Sequence, residues 1–336
     1  MENNYKIYGG KLCIFGDMHL SSTYTGTHKD YMSECYYNMS KIIDIVKGST
    51  PSAVFFLGDV IGVNERNLKD RKFLMDVILF FQKLNTYTGG NVFSVKGNHD
   101  KGAFSDFDLF VGLGLIKNPD YVDYYNTAEI DKDLNLEVRF HFVNYGEEGR
   151  KLMIPEEKDY SNVVLGHNDY LIDGVTNWYQ HKGGVHISRL NNFIGVDMII
   201  SGHIHNPSSE VYSTFIGGNE DNEIALFYTG SPARTSERYN DCWYVTFYYD
   251  GESTQYDVEL LGLKPADEVF YEKVELLDEN DSDVDSMSLT NIVKEIREGR
   301  ITSGDLFSQV RSVPGASDEV KDIACKYLQK AIDDEN

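Results

Sequence analysis

The chain has 336 residues, 41% of them hydrophobic and 13% aromatic, which is enough to form a large buried core in one or two domains. Its 31 basic and 54 acidic side chains give a formal net charge of −23, so the surface as a whole repels polyanions. No apolar run approaches the roughly 18 residues of a membrane span, and the N-terminus has no hydrophobic signal segment. We therefore expect a globular cytoplasmic protein with no membrane partner.

The first part of the chain predicts alternating strands and helices. Short apolar runs with the β-branched and aromatic bias of buried strands occur at 12–15, 54–57 and 92–95. Apolar residues recur at helical spacing over 28–46, where Gly48 could end the helix, and again over 67–84. The order β-α-β-α-β is typical of a layered α/β fold that binds its ligands at the carboxyl ends of the strands.

From residue 131 onward, strands dominate the prediction. Runs at 136–144, 163–165, 198–200, 224–229 and 243–249 predict strands with few helices between them, and hence a second sheet. The character changes near Gly262, so we expect a main domain over 1–262, a capping segment with an acidic linker over 263–285, and helices over 286–336. These last helices are amphipathic and could either pack as a tail on the main domain or dock on a partner.

Five of the apolar runs end in a glycine that is followed at once by an aspartate, asparagine or histidine. The five motifs are Gly16-Asp17-Met18-His19, Gly58-Asp59, Gly97-Asn98-His99-Asp100, Gly166-His167 and Gly202-His203-Ile204-His205. A glycine at such a point permits a sharp turn and the close approach of a bulky neighbour. The four cysteines lie outside the motifs and far apart, so a structural zinc site is disfavoured. Oxygen and imidazole donors at strand ends instead predict a two-metal hydrolytic centre.

The five motifs, in this order, resemble the calcineurin-like metallophosphoesterase superfamily, whose pattern is D-x-H, G-D, G-N-H-D, G-H and G-H-x-H. The resemblance spans residues 16–205. It implies an α/β sandwich of two mixed β-sheets flanked by helices, with a small C-terminal cap or helical tail. It also implies a metal-dependent phosphoesterase activity.

The resemblance also implies a role for each motif residue. A first metal ion would be held by Asp17, His19, Asp59 and His205, and a second by Asp59, Asn98, His167 and His203. The two divalent ions, which the family usually takes as Mn²⁺, would thus share Asp59. His99 corresponds to the general acid of the family, and Asp100 would be the carboxylate that holds and charges its ring.

Two segments resemble one branch of the superfamily, the SbcD-type nucleases of phage and bacterial recombination and double-strand-break repair. Asp17-Met18-His19-Leu20 has the D-x-H-L form of these nucleases, and Tyr228-Thr229-Gly230-Ser231-Pro232 is similar to their Y-x-G-S-P segment. The resemblance implies a two-metal-dependent DNA exonuclease or endonuclease in the bacterial cytoplasm, or in the host cytoplasm for a phage protein. It implies DNA and an SbcC-type coiled-coil ATPase as partners, and it leaves a homodimer open.

Two other functions remain open at this point. One is a small-molecule phosphodiesterase or protein phosphatase on the same fold, which the acidic surface would suit better. The other is a non-catalytic scaffold that binds a partner through its C-terminal helices. The complete set of candidate ligands argues against the scaffold.

Overall fold

The computed structural model describes residues 4–22, 28, 30–62, 70–100, 105–126, 135–152, 154–155, 159–172, 184–208, 211–216, 222–233 and 241–270. The chain divides into two compact units, Met1–Glu272 and Lys273–Asn336, and every described residue belongs to the first. The predicted helices over 286–336 and most of the predicted capping segment lie outside the described residues. The three predicted domain boundaries therefore stay a prediction.

The described residues form fourteen strands and four α-helices. The strands are β1 (Asn4–Tyr8), β2 (Leu12–Phe15), β3 (Ala53–Phe56), β4 (Val92–Ser94), β5 (Tyr121–Tyr125), β6 (Leu136–Val143), β7 (Ser161–Gly166), β8 (Tyr170–Leu171), β9 (Val185–His186), β10 (Met198–Ser201), β11 (Tyr212–Phe215), β12 (Glu223–Tyr228), β13 (Trp243–Tyr249) and β14 (Thr254–Leu260). The helices are α1 (Tyr31–Ser49), α2 (Arg71–Thr88), α3 (Asp106–Gly112) and α4 (Ala266–Val269). Each strand predicted from an apolar run is present.

The strands form two mixed sheets and one small pair. The larger sheet has the order β1-β5-β6-β7-β10-β12-β11, in which β5/β6 and β11/β12 are antiparallel and the other pairs are parallel. The smaller sheet has the order β14-β13-β2-β3-β4, with β2, β3 and β4 parallel. Strands β8 and β9 pair separately. The predicted second sheet is confirmed, although β13 joins the sheet of the first strands.

Aspartate side chains fix where the two long helices begin. Oδ1 of Asp30 accepts a hydrogen bond of 3.0 Å from the backbone N–H of Ser33, and Asp70 caps α2 in the same way. Helix α1 ends at Ser49 and is capped by Thr50, which has a left-handed φ of 45°, so the predicted end at Gly48 is wrong because that glycine lies inside the helix. No helix in the described part of the chain has the length and apolar character needed to cross a membrane.

Three apolar layers hold the sheets and helices together. Alternate residues of β2 face opposite layers, and Ile14 points between the two sheets, where Phe55 and Phe140 pack with ring centroids 5.3 Å apart. Phe15 points to the other side, toward the layer in which α1 and α2 cover the smaller sheet. The larger sheet has its own outer apolar layer, which includes Phe193 from a short 3₁₀ turn. The predicted α/β sandwich of two mixed sheets flanked by helices is confirmed.

Candidate metal centre

The five glycine motifs meet at one edge of the sandwich. Three of them follow the parallel strands β2, β3 and β4 of the smaller sheet, and the other two include or follow the ends of β7 and β10 of the larger sheet. Parallel neighbours end on the same side of a sheet, so the motif side chains are brought together there. The structure places all seven predicted ligands in one cluster: Asp17, His19, Asp59, Asn98, His167, His203 and His205.

One half of the cluster joins the first and last motifs. The Nε2 atoms of His19 and His205 lie 2.9 Å apart, and Oδ2 of Asp17 lies 3.9 Å from Nε2 of His205. One donor atom from each of these three side chains falls within 4.8 Å of the other two. Three donors that converge so closely fit a single cation.

The other half of the cluster is built around Asn98 and His167. Oδ1 of Asn98 lies 2.9 Å from Nε2 of His167 and 3.0 Å from Nδ1 of His203. Oδ2 of Asp59 lies 3.1 Å from the same Nε2 of His167 and 3.8 Å from Nε2 of His19. The carboxylate of Asp59 therefore stands between the two halves of the cluster.

A backbone carbonyl fixes the tautomer of His167. Nδ1 of this ring lies 2.7 Å from the carbonyl oxygen of Leu57, which can only accept a hydrogen bond, so Nδ1 carries the proton. Burial opposes a charge on this ring, but the carboxylates of Asp59 and Asp17 raise the pKa of His167 to about 9, so in the metal-free cluster Nε2 is protonated as well, and a cation would displace that proton. Nε2 is directed toward Asn98 and Asp59. This is the orientation that a metal-binding imidazole needs.

The backbone at three of the predicted ligands has an uncommon conformation. His19, Asp59 and His203 have φ values of 43°, 42° and 73°, in the left-handed region that side-chain-bearing residues rarely adopt. Hydrogen bonds between motifs hold them there: the N–H of His19 donates to the carbonyl of Asp59, and that of His203 donates to Oδ2 of Asp17. Such conformations persist only where the surrounding structure enforces them, and they concentrate at functional sites.

The motif glycines serve mainly to admit these side chains. Of the five, only Gly58 has a positive φ, so only there is the backbone in the left-handed region that favours glycine. A Cβ atom on Gly97 would lie 2.0 Å from Oδ1 of Asp59, and one on Gly202 would lie 2.0 Å from Oδ1 of Asp17. The two carboxylates can occupy their places because these glycines have no side chain.

The sequence matches the family model described as calcineurin-like phosphoesterase over residues 10–207, which is more than half of the chain. The chain belongs to the calcineurin-like phosphoesterases. No curated protein sequence matches it.

Solved structures resemble this calcineurin-like phosphoesterase in fold. The calcineurin-like phosphoesterase YfkN from Bacillus subtilis is 14% identical, with a TM-score of 0.42, and the match covers 76% of this chain and 91% of that one. A dimetal phosphatase from Danio rerio is 11% identical, with a TM-score of 0.44, and the match covers 76% and 98% of the two chains.

The donor set of this calcineurin-like phosphoesterase fits two divalent cations. Oδ1 of Asp17 is buried and forms no hydrogen bond with the described residues. Nδ1 of His19 is likewise buried without a hydrogen-bond partner among the described residues, and Nε2 of this ring lies 2.9 Å from Nε2 of His205, so the two rings direct these nitrogen atoms toward the same point. Carboxylate, amide and imidazole donors are those that such cations take in proteins.

Burial and charge set the protonation of the cluster. Burial lowers the pKa of His19 to about 4 and lowers that of His205 as well, so both rings are neutral near pH 7. Burial raises the pKa of Asp17. For Asp59, burial opposes ionisation, but the adjacent His167 ring holds the pKa of this carboxyl well below its usual range. In the metal-free cluster the Asp59 carboxylate is therefore ionised beside a protonated His167 ring, while His19 and His205 are neutral.

His99 lies at the open side of the cluster. Its side chain is 34% exposed, its Nε2 atom lies 4.0 Å from Oδ2 of Asp59, and its ring packs edge-on against His19. A proton donor to a leaving group would need such a position, and the general-acid role of His99 stays a prediction.

Asp100 has a different place from the one expected. Its Oδ2 atom accepts a hydrogen bond of 2.9 Å from the backbone N–H of Gly97, and its Oδ1 atom has no hydrogen-bond partner in the described part of the chain. The structure therefore does not support the prediction that Asp100 holds the His99 ring. The buried carboxylate instead closes the loop that presents Asn98 to the cluster.

The segment Tyr228-Thr229-Gly230-Ser231-Pro232 connects the first and last motifs. The hydroxyl oxygen of Ser231 lies 2.8 Å from the carbonyl oxygen of Asp17 and 2.9 Å from that of Ala233, so its single hydrogen can be donated to either. The backbone N–H of Ser231 donates to the carbonyl of His205 at 3.3 Å. The carbonyl of Gly230 approaches Gly16 so closely that a Cβ there would lie 2.1 Å from it. The segment thus fixes the backbone of two predicted ligands.

Two tyrosines near the cluster were not predicted from the sequence. Tyr31 donates its hydroxyl to the carbonyl of His19 at 2.8 Å, and the ring of Tyr145 lies 5.4 Å from that of His203 between centroids. Neither residue belongs to a recognisable motif, so only the folded arrangement identifies them.

Of the histidines outside the motifs, His141 is buried against Asn162 in the larger sheet, and His181 lies outside the described residues.

Proposed function

We propose that this phosphoesterase is a DNA nuclease that requires two metal ions, with Mn²⁺ as the activating ion. It would hydrolyse phosphodiester bonds as the catalytic subunit of an SbcCD-like recombination or repair complex. An SbcC-type coiled-coil ATPase would then be its partner, and the predicted helices over 286–336 are the candidates for docking on it.

The observation that carries this proposal is the contact between Ser231 and Asp17. Two segments of the chain resemble the SbcD-type branch, and they are separated by more than 200 residues in sequence. In the fold, the Ser231 hydroxyl of the second segment lies within hydrogen-bonding distance, 2.8 Å, of the Asp17 carbonyl oxygen of the first. The features that distinguish the branch are thus part of one site, which supports a shared substrate class.

The cluster has the parts that phosphodiester hydrolysis needs. When bound, a pair of divalent cations supplies Lewis-acid stabilisation of the charge that grows on phosphoryl oxygens. Asp59 and its neighbours would hold that pair, and Asp100 and Gly97 would keep the Asn98 loop in place. His99 would give a proton to the leaving oxygen from the open side of the site. Oxygen and imidazole donors admit Mn²⁺, Fe²⁺ or Zn²⁺, and Mn²⁺ is proposed because the family that the motifs resemble usually takes it.

The net charge of −23 favours a second candidate function. A surface that repels polyanions would suit a phosphodiesterase of small molecules or a protein phosphatase better than an enzyme that binds DNA alone. For the nuclease, the partner subunit would have to provide most of the phosphate contacts.

A degradation assay with linear double-stranded DNA as substrate tests the proposal. The purified protein with Mn²⁺ should degrade the DNA, Asp59→Ala should abolish the degradation, and Asp44→Ala on the exposed side of α1 should retain it. Co-purification of the chain with a coiled-coil ATPase would support the complex. Hydrolysis of bis(p-nitrophenyl) phosphate with DNA left intact, even in the presence of the ATPase, would overturn the nuclease proposal in favour of the second candidate.

A further inference from the structure

Tyr145 is a half-buried aromatic residue at the edge of the candidate metal centre. It lies in the loop that follows β6, on the same side as the half of the cluster formed by Asn98, His167 and His203. Its ring centroid is 5.4 Å from that of His203 and 6.2 Å from that of His167. His99 stands at the other half, against His19. The two halves of the site therefore have different neighbours.

The loop that carries Tyr145 is fastened to two of the motifs. The backbone N–H of Tyr145 donates to the carbonyl of Lys96, which precedes the Asn98 motif, at 2.9 Å. The N–H of Lys96 donates in return to Oδ1 of Asn144 at 2.7 Å. On the other side, the N–H of Gly146 is shared between Oδ1 of Asn168, the residue that follows His167, and Oε1 of Glu148, each at 3.2 Å.

These bonds give Tyr145 a fixed position relative to the predicted ligands. An aromatic side chain on an anchored loop loses little conformational entropy when a planar group stacks on it. The ester substituents of a phosphate bound at the cluster would extend out of the metal centre, past the residues at the edge of the site. On the side of Asn98 and His203, the residue at this edge is Tyr145.

We propose that Tyr145 is a specificity-determining residue that stacks on a planar substituent of the phosphoester, a nucleobase for a nucleic-acid substrate. The inference rests on the proposed function and deepens it, because it assigns the part of the site that would read the nucleotide rather than the phosphate. Stacking of a base on an aromatic side chain tolerates any base, which suits an enzyme without sequence preference.

Two ligands that differ only in the base test the assignment. Binding of deoxyadenosine 5′-monophosphate and of 2-deoxyribose 5-phosphate to the Mn²⁺-loaded protein is measured by titration calorimetry, which does not depend on turnover. In the wild-type protein the nucleotide should bind about 5- to 100-fold more tightly than the sugar phosphate. Tyr145→Leu should reduce this ratio to near one, and Tyr145→Phe should retain it.

Three outcomes would overturn the proposal. The first is equal affinity of the wild-type protein for both ligands, and the second is a ratio that Tyr145→Leu leaves unchanged. The third is an equal loss of affinity for both ligands in Tyr145→Leu, which would mean that the ring only orients His203. Failure of the proposed function would look different, because it would appear as intact DNA in the hydrolysis assay whatever these ratios are.

Discussion

The backbone N–H of His203 donates a hydrogen bond of 2.7 Å to Oδ2 of Asp17, although 186 residues separate the two. In the same way, Oδ1 of Asp59 accepts a bond of 2.8 Å from the backbone N–H of His99. Asp59 thus uses one oxygen to connect two motifs and directs the other toward His167, whereas Asp17 uses the same Oδ2 atom toward the N–H of His203 and toward the His205 ring. Because protein contacts position these groups, the site is organised by the fold itself, and a cation would enter a prepared arrangement.

Gly202→Ala tests whether the motif glycines exist to admit the carboxylates. The added Cβ would lie 2.0 Å from Oδ1 of Asp17 and 2.6 Å from the carbonyl of Leu57, so the carboxylate must move. We expect Mn²⁺ affinity to fall about 10-fold or more and the free energy of unfolding to fall by about 1–3 kcal/mol. Titration calorimetry and urea unfolding measure the two effects.

Gly48→Ala is the matched control for this substitution. Gly48 lies inside α1, and no neighbouring atom lies within 4 Å of an added Cβ. The substitution should therefore stabilise the protein by about 0.5–1 kcal/mol and leave Mn²⁺ binding unchanged. Wild-type Mn²⁺ affinity in Gly202→Ala would show that the close approach to Asp17 is unimportant.

Ser231→Ala tests the link between the first and last motifs. The variant removes a fully buried hydroxyl that lies 2.8 Å from the Asp17 carbonyl oxygen and 2.9 Å from the Ala233 carbonyl oxygen. We expect a loss of about 1–3 kcal/mol in the free energy of unfolding and weaker Mn²⁺ binding. Ser40→Ala on the exposed side of α1 should change neither quantity appreciably. If both serine variants behave alike, the link has no role in holding the site.

The substitution His141→Gln should change the pH dependence of the free energy of unfolding of the metal-free protein. Burial lowers the pKa of His141 to about 4 from an ordinary value of 6.5, so between these values the unfolded chain binds more protons than the folded chain. The free energy of unfolding should therefore fall as the pH drops from about 6.5 to 4, by a contribution on the order of 3 kcal/mol from this group.

Urea unfolding at a series of pH values, in the presence of EDTA, measures this contribution. Glutamine does not titrate, so the curve of His141→Gln should be flatter than that of the wild type in this window and parallel to it above pH 7. Parallel curves throughout would show that His141 is not buried as a neutral ring.

The positions of the buried strands could be predicted because apolar runs such as 12–15 and 198–200 are buried on both faces. Strands β1, β11 and β14 were not predicted, since each lies at the edge of a sheet and is partly exposed, so its sequence shows no continuous apolar run. Strands β5, β8 and β9 were not predicted either, although β5 lies inside the larger sheet. The sheet to which β13 belongs depends on tertiary pairing with β2, which local sequence does not encode.

The candidate site likewise has features that the sequence predicts and features that only the fold reveals. The ligand types and their order lie in short motifs, so the cluster could be predicted. The contacts of Asp100 could not, because adjacency to His99 in sequence says nothing about which way a buried carboxylate turns, and here it turns to the N–H of Gly97. Tyr145 could not be predicted either, since its place beside His203 depends on two loops that meet only in the fold.

The number of metal ions bound per chain tests the central claim most directly. The claim is that Asp59 stands between two cation sites, one beside His19 and His205 and one beside Asn98 and His167. Elemental analysis and anomalous diffraction of Mn²⁺-loaded crystals should show two ions per chain on either side of the Asp59 carboxylate, and Asp59→Asn should bind fewer than two. A single ion in the wild-type protein, or ions bound away from Asp59, would contradict the account.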